Sequence, residues 1–132
     1  MAATKDQVLP TRLGDSYAYG VKGGVRIFAK TLVAVTATGL AIPAGTAGAV
    51  AVVGIARHHA DNRNGPDNDG KLPCEHGVYP VPFAGTAPTY ANIGATVYAV
   101  DDNTVSLDSS SGARLKAGVL DGIEDGTPWV RV

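Results

Sequence analysis

The chain has 132 residues and a formal net charge of −1, which gives one domain with a modest core and no global attraction for nucleic acid. Its apolar 45% is mostly Ala and Val, with one Trp, two Phe and one Met, so the core is thin and built from small or β-branched side chains that suit pleated sheets. Seventeen Gly and eight Pro indicate many turns, and the longest apolar stretch, Ala47 to Ala56, is broken by Gly48 and Gly54 and is too short to span a bilayer.

Residues 1–24 carry Pro10, Gly14, Gly20, Gly23 and Gly24 among irregularly spaced Val8, Leu9, Leu13, Tyr17 and Tyr19. No helical stripe forms. The segment reads as an extended N-terminal arm, or as a first strand that pairs late. From Val25 the pattern is β: Val25 to Lys30 alternates, Thr31 to Thr36 continues it, and Leu40 to Ile42 is a short strand between the turns Thr38-Gly39 and Pro43 to Thr46. Ala49 to Ala56 (AVAVVGIA) reads as a buried strand, since β-branched residues and an internal Gly54 favour sheet over helix. Residues 60–71 (ADNRNGPDNDGK) form a loop rich in Asp, Asn and Gly.

A strand starts at Leu72, with Leu72, Cys74, His76 and Val78 on one face. Gly77 bends it, and Pro80 and Pro82 put its continuation, closed by Phe83, at a sheet edge. Thr96 to Val100 and Thr104 to Asp108 make a hairpin about Asp101-Asp102-Asn103. After the turn Ser109 to Gly112, Ala113 to Leu120 alternates Leu115, Ala117 and Val119 with Arg114, Lys116 and Gly118. Glu124-Asp125-Gly126 then turns the chain into a last strand, Pro128 to Val132. Short strands at this spacing predict an all-β fold, a compact sandwich or barrel of antiparallel strands over residues 25–132, preceded by the arm 1–24.

Charge is uneven. Residues 1–30 hold Lys5, Arg12, Lys22, Arg26 and Lys30 against Asp6 and Asp15, whereas residues 101–126 hold six acids against Arg114 and Lys116. Cys74 is alone, which excludes an internal disulfide and fits a reducing compartment. MAATKDQVLP lacks an apolar signal core, so a soluble product of the cytoplasm is expected.

The chemistry-bearing patterns fall short of known constellations. Gly20 to Gly24 (GVKGG) lacks the order of a phosphate-binding loop, and neither G-x-G-x-x-G nor G-x-S-x-G occurs. His58, His59, Cys74 and His76 offer zinc-type ligands, but adjacent His-His and Cys-x-His are poor spacings. If Gly70 stood at the sixth place of a calcium loop, Gly65 would fall where the first Asp belongs and His76 where the closing Glu belongs. The pairs Asp101-Asp102 and Glu124-Asp125 lie in turns, where carboxylates are solvated and do not face each other across a cleft. The reading is a non-catalytic binding or structural module with no metal or cofactor, and with no nucleic-acid or membrane partner.

Four segments in order carry a resemblance: Ala60 to Asp69 (ADNRNGPDND), Cys74 to Phe83 (CEHGVYPVPF), Ile93 to Val105 (IGATVYAVDDNTV) and Lys116 to Val132 (KAGVLDGIEDGTPWVRV). Together they resemble the small bacteriophage capsid decoration, or cement, proteins over roughly residues 30–132. The resemblance implies a β-domain added to the outside of an expanded icosahedral head, contacting the major capsid protein. It also implies a homo-oligomer, often a trimer and in some relatives a dimer, with no catalytic residue. The arm is the expected grip on the shell or on a neighbouring protomer, through Leu9, Leu13, Tyr17 and Tyr19. Other virion β-modules, a head-fibre base or tail component, and a carbohydrate-binding β-sandwich are the alternatives.

Overall fold

The computed structural model describes all 132 residues. It is all-β and sandwich-like, without closure into a barrel. Its one helical turn is the 3₁₀ segment Tyr90–Asn92, so no helix is long and apolar enough to cross a membrane. One sheet contains β1 (Ser16–Gly20), β7 (Lys71–Glu75), β5 (Ala49–Ala56), β3 (Leu32–Thr36) and β4 (Ala41–Pro43), in that spatial order. The other contains β10 (Val105–Ser106), β9 (Thr96–Ala99), β11 (Lys116–Glu124), β12 (Thr127–Arg131) and β8 (Val78–Tyr79). A two-stranded ribbon pairs β2 (Arg26–Ile27) with β6 (Ala60–Asp61). All strand pairings are antiparallel.

The first sheet is buried on both faces around β3, which explains the near-continuous apolar runs there. Successive β residues point to opposite sides, and here both sides are cores. Leu32 and Ala34 of β3, Ile42 of β4 and Ile55 of β5 face a core shared with Val97, Val105, Leu120 and Val130 of the second sheet. Val33, Ala41 and Ala56 face the opposite way, into a second core completed by Val21, Ile27, Leu72 and Cys74. The second core exists because the sheet curls. Val21, just past β1, makes a parallel bridge to Ala41 of β4, bringing the two outer strands toward each other.

Close packing has a backbone consequence at Gly54. Its φ is +144°, and a Cβ there would stand 2.7 Å from the carbonyl oxygen of Glu75. The pairing of β3 with β5 shifts register between Val33 and Ala34, and the chain bulges there instead of running flat.

The segment 60–71, expected to be all loop, instead gives β6 and then folds back onto the chain around Gly20–Val25. Buried Asn62 donates from Nδ2 to the carbonyls of Val21 (3.1 Å) and Pro66 (2.8 Å). Gly23 N–H donates to Asp67 Oδ1 at 2.8 Å, and Asn68 N–H to Val21 O at 2.9 Å. Gly20 and Gly23 leave the space the loop occupies, since a Cβ at either would collide with Asn68 or Gly65.

Other expectations shift in detail. Val25 to Thr36 is not one run: Lys30 takes φ +63°, and β2 and β3 join different sheets. The strand expected from Leu72 through Val78 breaks at Gly77, whose backbone pairs with Val132 as the chain crosses between sheets. The last hairpin turns on Asp125 (φ 51°) and Gly126 (φ 78°), the positive-φ pair of a type I′ turn.

Gly54→Ala should therefore cost more than Gly48→Ala, where φ is +90° but a Cβ would meet nothing within 4 Å. We expect about 1 kcal/mol at Gly48, from backbone strain alone, and at least twice that at Gly54. Urea unfolding midpoints at matched m-values measure the difference.

Candidate functional site

The arm is shorter than the sequence suggested. Met1 to Asp15 contains no strand, but Ser16–Gly20 is β1, paired with β7 in the register Tyr17↔Cys74 and Tyr19↔Leu72. The boundary moves because Tyr17 and Tyr19 fall on the same face as Leu72 and Cys74, where aromatic area can be buried. Tyr19 packs against the second core. Tyr17 lies edge-on to His76 (6.0 Å between centroids) beneath the Arg12 guanidinium, 4.1 Å from its ring centre. Arg12 also donates to the carbonyl of Ser16 at 3.0 Å, which fixes the root of the arm.

Of the four expected contact residues, Leu9 and Leu13 stand on the arm with 80% and 81% of their surface exposed, and Val8 beside them has 98%. Tyr17 and Tyr19 lie in β1 on the folded body, each partly exposed. Three apolar side chains without a partner, on an extended segment that leaves a compact domain, form the largest unsatisfied apolar feature near the N-terminus.

The histidines and the cysteine do not converge, and no group of three His, Cys, Asp or Glu residues is placed to hold a metal ion. Cys74 is fully buried, and loss of solvent pushes its thiol up to about 11. His59 accepts a 2.9 Å bond from Arg26 and stacks on Phe28, whose ring Arg26 also covers. His58 contacts the carbonyl of His59, and His76 contacts Tyr17.

The two carboxylates Asp101 and Asp102 are pushed in opposite directions by the turn they make. Asp101 accepts from the Thr104 hydroxyl and from the backbone N–H of Asn103 and Thr104, which holds its carboxyl below the usual range. Asp102 is raised, first by burial and then by the charge of Asp101. Split acidities can serve acid–base chemistry, but here each is accounted for by the turn. That turn braces both sheets: the Asp102 carbonyl accepts from Leu32 N–H at 2.8 Å, and a Cβ on Gly45 would stand 2.8 Å from Asp101 Cα. Glu124 and Asp125 are exposed at the type I′ turn.

Sequence reasoning gave Arg114 no role beyond strand alternation. In the structure it precedes β11, half-buried between two surface clefts of about 440 and 390 Å³. Nothing in its spacing marks it, because the clefts are walled in part by segments remote in sequence, near Ala84 and Gly45.

The chain matches no known family model, and no curated protein or solved structure was found similar to it.

Asp101→Ala should cost about 1–2 kcal/mol, the scale of a lost side-chain cap. The native Asp101 contribution is present above the ordinary carboxylate value of 3.8 and is lost as pH falls through the lowered folded-state value. The sign reverses for Asp102, whose ionisation opposes folding once pH exceeds 3.8. Asp102→Asn should therefore raise stability at pH 7, with the gain vanishing as pH is taken below 3.8. Urea titrations from pH 3 to pH 7 check both.

Proposed function

We propose that this chain is a bacteriophage capsid decoration protein, a virion component that binds the outside of the expanded head and cross-links capsomers. The exposed apolar arm carries the reading. Val8, Leu9 and Leu13 are left outside a body that has enough apolar residues for two cores. An arm of residues 1–15 reaches up to about 50 Å when extended, so its contacts can lie well away from the body. The ordered segments in residues 60–132, with their resemblance to cement proteins, support the same assignment.

The physical mechanism is linkage. A protein that binds the assembled lattice and not its separated parts stabilises the lattice by mass action. Burying Val8, Leu9 and Leu13 against the major capsid protein gives roughly 1.5–3 kcal/mol for each side chain, offset by the cost of ordering the arm. One arm therefore grips weakly. A homo-oligomer engages several sites together, and the linked contacts hold far more tightly. The arm could add main-chain hydrogen bonds at a sheet edge of the shell protein.

Mixing purified protein with undecorated, expanded capsids tests this. We expect saturable binding at a fixed copy number per capsomer and capsids that resist higher temperature. Removing residues 1–11 together with Leu13→Ser, which leaves Arg12 on Tyr17 and β1 intact, should weaken binding by at least about a hundredfold while the body keeps its melting temperature, if two side chains' worth of burial is lost. The double change Leu9→Ser and Leu13→Ser should do most of the same. Full-length protein that ignores every capsid form would overturn the assignment.

A further inference from the structure

We infer that the cleft beside Arg114 is a binding site for a hydroxylated carboxylate, a sugar acid, with the Arg114 guanidinium as the carboxylate anchor. The inference is independent of the capsid reading and can be tested without a capsid.

The argument begins with the arginines. Arg57, Arg63 and Arg131 each pair with a carboxylate at 2.7 Å. Arg12 and Arg26 lie over the rings of Tyr17 and Phe28. Arg114 has neither kind of partner. Its single hydrogen bond runs from Nη1 to the backbone carbonyl of Asp108 at 2.9 Å, although the side chain is half-buried. A guanidinium carries five N–H donors in a planar fork that matches a carboxylate. With one donor engaged and no carboxylate partner, that fork is open to a carboxylate ligand in bidentate geometry.

The surroundings choose among anions. The larger cleft is lined by Thr86, Ser106, Leu107 and Asp108 as well as Arg114. Ser106 is only 6% exposed, and its oxygen accepts from Asp108 N–H at 3.1 Å, so its hydroxyl proton is available to a ligand. Thr86 adds a hydroxyl of either sense. The Asp108 carboxylate, one oxygen of which accepts from Ser110 N–H at 2.9 Å, disfavours a bare anion such as acetate or an isolated acidic side chain. It favours a ligand with hydroxyl groups to donate. A carboxylate for Arg114 and neighbouring hydroxyls for Asp108, Ser106 and Thr86 describe a sugar acid. The cleft's 440 Å³ lies in the range of small-molecule sites.

The anchor is held from behind. Arg114 N–H donates to Ser109 O at 3.0 Å, and Gly112 N–H to Ser109 Oγ at 3.2 Å. Ser110, Ser111 and Gly112 all take positive φ, so the turn that presents Arg114 is tightly wound.

Titrating isotope-labelled protein with sodium glucuronate, and separately with sodium acetate and with glucose, tests the site by amide chemical shifts. We expect saturable shifts confined to the neighbourhood of Thr86, Ser106, Asp108 and Arg114 for glucuronate, and no saturation for acetate or glucose. Arg114→Gln should weaken glucuronate at least about tenfold, the effect of losing a charge-assisted bond pair. Arg114→Lys, which keeps the charge and guards against misfolding, should weaken it several-fold because the fork is gone. Acetate saturating the same amides equally well, no saturable response to glucuronate, or unchanged binding in a folded Arg114→Gln protein would each overturn the inference.

Discussion

The strand β3 is buried on both faces, and the remainder of the domain is arranged around that fact. Leu32 and Ala34 look into one core, and Val33 into the other. A wall shared by two cores cannot carry a polar face, so β3 and its neighbours must be apolar throughout. With so few aromatics in the chain, both cores are thin. Thin cores require close approach of backbones, which is why glycine stands where β5 meets β7 at Gly54 and where the first sheet meets the Asp101 turn at Gly45.

The same constraint decides what remains outside. Two cores built from Ala, Val, Leu and Ile are filled by residues from Val21 onward, with Tyr19 at the margin. Val8, Leu9 and Leu13 find no place in them. An apolar arm that the domain cannot absorb is available to another surface, which links packing to the proposed role on a capsid. The glycine-lined stretch Gly20 to Gly24 is drawn instead under the Asn62 loop, which pins the start of the body and makes the change from arm to fold abrupt.

Much of the fold was legible in the sequence. The alternation in Thr96 to Val100 and Thr104 to Asp108 gave a hairpin, and Asp101 replaces the missing turn glycine by accepting three hydrogen bonds. The apolar run Ala49 to Ala56 was a strand, as its β-branched residues required. The arm boundary was not legible, because glycine-rich sequence permits both a free segment and a strand. Only the presence of Leu72 and Cys74 opposite Tyr19 and Tyr17 settles it. Residues 60–71 read as a solvated loop for a similar reason: Asn and Asp favour turns locally, and the Val21 carbonyl that Asn62 satisfies lies about forty residues away in the chain.

By itself, then, the sequence determined the all-β class, the places of most strands and turns, and the apolar residues of the arm. Those properties follow from side-chain period and turn chemistry, which act over a few residues. Tertiary structure alone decided that one sheet would separate two cores, that Tyr17 and Tyr19 would leave the arm for β1, and that Arg114 would stand without a counter-ion between two clefts. Each of these depends on which distant segments meet, and a short-range pattern in the chain does not encode that meeting.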